Sequence, residues 1–478
     1  METKTAPSLK GEQASFVSCV SSSGVEIRAT LLHFSRFLAS FEVYAPALGL
    51  RTSEVLSDFR IVIDERSIYS GRAVVSGLVS GGSAMVCEVN LEDGWIDVES
   101  VAPNEEKELQ GQFGGFLQRW QKHYKIRPEF KVVVADMESL LTDMRLWMDQ
   151  VELAIRASPN GERVQMEKEA ARELAASAVP AIEALGDRFE EVAATLEPEL
   201  RPAHIHFCRR HLHPVLLCSP FSYRTFQKPL GYAGDYEMVN MIVREPYEGG
   251  SLFAKVVNAW FLHQLPAQAH RNRIKVLKQR LIDETARVMR LSREAQIFNL
   301  GCGPAGEIQE FLAESPLADK ARLTLLDFNE ETLQHTQRIL SEISQRNGRR
   351  ASIQMQKKSV QQLLKEAARP TAGASGTRYD FLYCAGLFDY LPDRVCKQLM
   401  SVFYHWVAPG GLLLVTNVDG TRPFHNKLEF ILDWNLIYRN SAQMAALKPE
   451  SAPAEAASVT ADLTGVNLFL EIRKPSNG

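Results

Sequence analysis

The run AQIFNLGCGPAGEIQEFL, Ala295 to Leu312, changes character twice. Ile297, Phe298 and Leu300 read as a buried strand, the glycines that follow as a turn, and Glu307 to Glu314 as a helix. Gly301, Gly303 and Gly306 fall in the G-x-G-x-x-G pattern. A chain turning sharply from strand to helix visits positive φ, and a side chain there would keep a ligand off the backbone. A second apolar strand, Leu323-Thr-Leu-Leu-Asp327, then ends on a carboxylate. An acid at that point suits a ribose, whose two hydroxyls can both donate to one carboxylate.

Dinucleotide enzymes and S-adenosylmethionine (SAM) methyltransferases share this layout. Glu307 in the first helical turn would repel a pyrophosphate but tolerate a sulfonium. The later strands break the tie. Tyr379 to Leu391, followed by Pro392-Asp393, resembles the fourth-strand motif of class I methyltransferases. Leu399 to Asn417, with Pro409-Gly410-Gly411 inside it, resembles their next helix, turn and fifth strand. Four motifs stand in order over roughly 120 residues. The bland alternative is a Rossmann-like domain that binds nothing.

Working outward, 478 residues imply two or three domains. Hydrophobic content of 45% and charged content of 23% are those of a globular protein. A net charge of −4 and a pI near 6.3 give no electrostatic reason to expect nucleic acid. The seven cysteines lack C-x-x-C pairing and read as reduced thiols. The first residues lack the apolar core of a signal peptide, and no run is long enough to span a membrane. The expected location is cytoplasmic.

Residues 1–22 read as a flexible tail and 23–102 as a small β-barrel, since the periodicity there is close to two. The barrel resembles a PilZ domain in length and strand rhythm, but lacks the R-x-x-x-R and D/N-x-S-x-x-G that would bind a cyclic dinucleotide. It is expected to carry no ligand and to serve packing, substrate channelling or dimerisation. Residues 103–200 read as a helical domain, with Leu109, Phe113, Phe116, Leu117 and Trp120 at helical spacing. Met137, Leu140, Leu141, Met144, Trp147, Met148 and Val151 form a stripe that is either bundle core or an apolar channel. A further helix, Arg163 to Leu196, is expected to break near Pro180.

Residues 201–290 read as a helical cap or lid. His204, His206, His211 and His213 invite a metal reading, but no carboxylate and no C-x-x-C pair stands among them, so no metal is expected. In KPLGYAGDYEM, Lys228 to Met238, tyrosine faces could pack on an adenine or a sulfonium, and Asp235 could accept from the SAM ammonium; the alternative is a tight turn pinning the helices to the sheet. Arg271 or Arg273 could reach a carboxylate of SAM or of a substrate.

KPLGYAGDYEMVN, the AHRNR element at Ala269 to Arg273 and the four motifs together resemble bacterial methyltransferases that make methyl esters of 3-hydroxypalmitic and 3-hydroxymyristic acid, which are quorum signals. The resemblance covers about residues 200–478. It implies an α/β fold: a C-terminal Rossmann-like class I methyltransferase sheet of seven strands over 291–478, preceded by the helical domain and the N-terminal PilZ-like antiparallel barrel. It implies SAM as cofactor, S-adenosylhomocysteine (SAH) as product, and a carboxyl group of a fatty acid or acyl small molecule as acceptor. Neither nucleic acid nor integral membrane association is expected; a homodimer is left open. The cofactor residues expected are Tyr232, Asp235, Tyr236, Arg271, Asn299, Gly301, Cys302, Gly303, Gly306, Asp327, Phe328, Asn329, Ser359, Val360, Cys384, Ala385 and Gly386. Asn299 stands where many relatives have an acid. Tyr232, Arg273, His425 and Tyr438 are expected to orient the substrate, with Arg422, Asn426 and Trp434 nearby. No general base is expected, because a carboxylic acid is already an anion at pH 7. Open alternatives are an alcohol, phenol or amine acceptor, or a SAM-binding signalling or scaffold protein without turnover.

Overall fold

The computed structural model describes residues 15–43, 49–63, 66–81, 84–92, 111, 113–115, 117–118, 120–368 and 378–476. The chain divides into two units, Met1–Gln112 and Phe113–Gly478.

The first unit holds six antiparallel strands: β1 (Phe16–Val20), β2 (Glu26–Phe34), β3 (Leu38–Val43), β4 (Val55–Ile63), β5 (Arg66–Gly81) and β6 (Ala84–Leu91). They close into a barrel in the order β1-β2-β3-β6-β5-β4. Alternate residues point inward, as a period of two dictates, and the interior is filled by Val17, Phe41, Leu56, Phe59, Ile61 and Val89. Phe59 packs against Phe41 and Tyr69 with ring centroids 6.0 and 6.1 Å away. The strand at Phe16 overturns the expected tail as far as residue 22, because Val17 and Cys19 alternate into the core. Residues 1–14 of that tail, and Leu109 and Phe116 of the helical pattern, lie outside the described residues.

The second unit opens with helices α1 (Pro128–Ala157), α2 (Asn160–Ala194) and α3 (Arg201–Leu216). Met137, Leu141 and Met148 are buried on α1 and Met144 and Val151 partly so, making most of the expected stripe bundle core. Trp147 is not part of it: the side chain is 59% exposed, since one residue beyond the stripe turns it outward. α2 is continuous across Pro180, where a break was expected. The hydrogen bond lost at the proline is offset by burial on both sides of it, at Ala178, Ile182 and Phe189. Phe130 is the hub of this layer, its ring 5.4 Å from Phe189, 5.8 Å from Phe430 and 5.0 Å from the His204 imidazole.

Helices α4 (Pro220–Gln227), α5 (Tyr236–Val243), α6 (Leu252–His263) and α7 (Leu265–Met289) lead to the sheet. Its strands are β7 (Ala295–Leu300), β8 (Ala321–Asp327), β9 (Ser352–Lys357), β10 (Tyr379–Cys384), β11 (Val407–Val418), β12 (Ala457–Ala461) and β13 (Asn467–Arg473), in the order β12-β13-β11-β10-β7-β8-β9. The five strands β9, β8, β7, β10 and β11 are parallel, and β13 and β12 are antiparallel additions. Parallel strands need crossovers, supplied here by α8 (Gly306–Glu314), α9 (Glu330–Arg346), α10 (Val360–Ala367) and α11 (Asp393–Trp406). Helix α12 (His425–Leu432) returns to the helical layer, where Glu190 of α2 accepts from the N–H groups of Asn426 and Lys427. β12 had no strong sequence signal: exposure alternates only over Ala457 to Thr460, and none of its residues is fully buried. The fold is the expected α/β one, with a seven-stranded Rossmann-like sheet.

Candidate active site

Strand order reverses between β7 and β10, and in open α/β sheets ligands bind outside the carboxyl ends of the strands at such a point. Gly301 (φ 70°) and Gly303 (φ 50°) make the turn after β7, and a Cβ on Gly303 would meet nothing within 4 Å, so the backbone there is open to a ligand. A Cβ on Gly306 would lie 3.2 Å from Ile274, so this third glycine serves helix packing. Backbone N–H groups of Gly301 and Cys302 donate to Leu326 O at 2.8 and 3.0 Å, which ties the turn to β8.

Asp327, 6% exposed, ends β8. Its Oδ2 accepts from the Gly303 N–H at 3.2 Å and its Oδ1 from the Asn329 N–H at 3.0 Å. Asn329 caps α9 by accepting from the Thr332 N–H, and Phe328 packs edge-on against Tyr232 with centroids 4.9 Å apart. Tyr236 donates to Glu331 at 2.8 Å and packs against His335. The glycine-tyrosine loop therefore folds over the end of β8. A Cβ on Gly234 would fall 2.7 Å from the Tyr390 hydroxyl, which also accepts from Trp434 Nε1 at 3.0 Å.

On the β10 side, Cys384 is buried, which pushes its thiol well up. Ala385 is half-buried, and Gly386 (φ 89°) donates its N–H to Thr416 Oγ1 at 3.0 Å. The Arg273 guanidinium lies over Gly386, where a Cβ would be 3.0 Å from its Nη1. Burial pulls this guanidinium below its ordinary pKa. Its hydrogen bond is to His270 Nδ1 at 2.7 Å, and it forms no ion pair among the described residues. Asp389 is 4% exposed and accepts from the Val418 N–H at 2.7 Å; burial, opposed by Arg273 and Arg439, raises its pKa from 3.8 to about 6. Glu307 lies beneath the glycine turn, accepting from Tyr383 Oη at 2.7 Å and Asn299 Nδ2 at 3.3 Å, with its pKa raised by burial.

Several expected cofactor residues are engaged elsewhere. Asp235 caps α5 through the Met238 N–H and is clamped by Arg224 Nε at 2.9 and 3.1 Å. Arg271 donates to the carbonyls of Ile242 and Leu262. Ser359 is the N-cap of α10 in a capping box with Gln362. Val360 packs into the core on the β10 side. Of the acceptor candidates, Arg422 is exposed, Asn426 donates to Glu190 Oε1 at 2.7 Å, and His425 and Tyr438 pack ring to ring at 5.8 Å. His425 Nδ1 and the Tyr438 hydroxyl are buried with no hydrogen-bond partner.

The histidines of α3 have structural work. His204 accepts from the Arg127 N–H and donates to Leu200 O, His211 pairs with Glu138, and His213 Nε2 bonds Ile431 O. Burial brings His213 down to about 4. Sequence reading missed Asp389 as a titrating group and the joining of Asn299, Glu307 and Tyr383; a buried-looking acid directly after a strand was the available signal for the former.

No protein-family model and no curated protein matches the chain. Similar solved structures include one described as a possible exported protein from Bordetella parapertussis, at 18% identity and TM-score 0.41, covering 67% of this chain and all 100% of that one. Magnesium protoporphyrin IX methyltransferase from Synechocystis, with bound SAH, is 12% identical at TM-score 0.30 and covers 44% of this chain and 87% of its own. The N-methyltransferase NodS from Bradyrhizobium japonicum, in complex with SAH, is 14% identical at TM-score 0.29, covering 53% and 100%.

Proposed function

We propose that the chain is a SAM-dependent methyltransferase acting on a small molecule. At the finer level we propose a carboxyl O-methyltransferase that makes the methyl ester of a 3-hydroxy fatty acid. The observation that carries this reading is Arg273, a buried guanidinium that forms no ion pair among the described residues, at the switch-point crevice beside an open glycine turn. The residues would fit an adenosyl group: Gly301, Cys302 and Gly303 would hold its methionine part, Asp327 would accept from its ribose, and Tyr232 and Phe328 would flank it. Bound there, SAM supplies an electrophilic methyl on a sulfonium.

Arg273 orients the acceptor carboxylate through charge-assisted hydrogen bonds, and the Tyr438 hydroxyl, which has no hydrogen-bond partner, offers a polar contact to the acceptor, as does His425, whose Nδ1 lies 3.8 Å from Glu190 Oε1. An acceptor carboxylate is ionised at neutral pH, so these residues need only position it and exclude water. Residues 201–290 act as the lid, with Tyr236 holding it to α9 through Glu331.

Asp389 favours a second reading. A carboxyl held near 6 beside the crevice is tuned to take a proton from an alcohol, phenol or amine acceptor. One experiment separates the readings: purified protein, labelled SAM, and a panel of 3-hydroxy acids, alcohols, phenols and amines, with products identified by mass spectrometry. A methyl ester supports the first, and methylation only of a protic acceptor supports the second. Tight SAM binding with no product from any acceptor supports a binding protein without turnover.

A further inference from the structure

β7 ends on Asn299-Leu300, so the strand offers no carboxylate at the point where it meets the glycine turn. Tertiary structure brings one there from the other side of the turn. Glu307, 7% exposed, has its Oε1 held by two donors, Tyr383 Oη from β10 and Asn299 Nδ2 from β7. Both partners donate, so Glu307 is presented as an acceptor.

Among the described residues no Lys, Arg or His forms an ion pair with it. Arg273 is close enough to act on its electrostatics but makes no salt bridge to it. A buried carboxylate with no cation is costly, and that cost is relieved by a cation brought by a ligand. A second acceptor stands beside it: Asn299 is 2% exposed, and its Oδ1 has no hydrogen-bond partner. An ammonium group carries three donors and no acceptor, which matches a carboxylate and an orphaned amide oxygen side by side.

We infer that Glu307, with Asn299 Oδ1, receives the α-ammonium of the cofactor's amino-acid end, in place of an acid on β7. This assignment rests on the adenosyl reading of the crevice. Asn299 is a positioning residue as well as a contact, since its amide nitrogen holds Glu307 in place.

The test is calorimetric binding to the full chain of three probes: SAH, its analogue lacking the α-amino group, and methylthioadenosine, which lacks the whole amino-acid end. In the native protein SAH should bind about tenfold or more tighter than the deaminated analogue, as a charge-assisted hydrogen bond warrants. Glu307→Gln should weaken SAH about tenfold or more and leave methylthioadenosine within about twofold. Unchanged SAH affinity in Glu307→Gln, or equal losses for SAH and methylthioadenosine, would overturn the assignment. Should that variant not fold, equal affinity of the native protein for SAH and the deaminated analogue overturns it alone. A native protein that binds neither SAH nor methylthioadenosine removes the adenosyl reading beneath it, and the assignment with it.

Discussion

The Asp327 carboxylate accepts a hydrogen bond from the Gly303 backbone N–H at 3.2 Å, joining the end of β8 to the glycine turn after β7. The acid thus does two things: it holds the turn at positive φ in place, and it presents a carboxylate at the mouth of the crevice. An ionised carboxylate has about four lone-pair sites, so it can hold the turn and still accept from a ligand.

Asp327→Ala should raise the dissociation constant of SAH by about tenfold or more, since a hydrogen bond to a charged group is worth about 1.5–3 kcal/mol. Calorimetric titration reads this directly. An unchanged titration would remove the ribose assignment.

Arg273→Gln separates cofactor from acceptor. If the guanidinium orients an acceptor carboxylate, KM for the methylated acid should rise about tenfold or more while SAH affinity stays within about twofold. Arg273→Lys should recover part of the loss by keeping the charge, but not all, because the planar fork is gone. An equal loss of SAH affinity would place Arg273 on the cofactor instead.

Asp389 makes a prediction about pH. Its folded pKa of about 6 lies above the ordinary 3.8. Between those values the native state binds more protons than the unfolded one, so the group's contribution to stability falls as pH rises through about 4 to 6. Asp389→Asn keeps an acceptor for the Val418 N–H and removes the buried charge. At pH 7 it should be more stable than the native protein by about 1–3 kcal/mol, and at pH 4 the two should converge. Urea unfolding at both pH values measures the difference; a destabilised variant at pH 7 would show that the charge is compensated by Arg273 and Arg439.

Phe130→Ala removes a fully buried ring whose neighbours are Phe189, His204 and Phe430. The loss should be about 3–5 kcal/mol. Denaturant unfolding would show it, and a loss under about 1 kcal/mol would mean that the helical layer closes over the gap.

Where the physical signal is local, the sequence was a sufficient guide. A buried strand, a turn needing positive φ and a helix follow one another within a single short run, so Gly301, Gly303 and Asp327 could be placed by inspection. The alternation of small barrel strands and the stripe of α1 were legible for the same reason. What the sequence could not show is which residues also have partners within the protein. Asp235 and Arg271 looked available to a ligand, yet Arg224 claims the first and two helix-end carbonyls claim the second. Ser359 was taken by its own helix. The α3 histidines, for which no metal was expected, serve as hydrogen-bond partners of backbone and Glu138.

By itself, then, the sequence determined the parallel strands, the final strand and the acid that closes the glycine turn, because period and turn chemistry act over a few residues. Only tertiary structure decided which charges lie at the crevice. Arg273 comes from α7, Glu307 from α8 and Asp389 from the turn after β10, and Asn299, Glu307 and Tyr383 meet although they belong to three separate elements. Burial acts on side chains brought together through space, and a pattern along the chain carries no record of that distance.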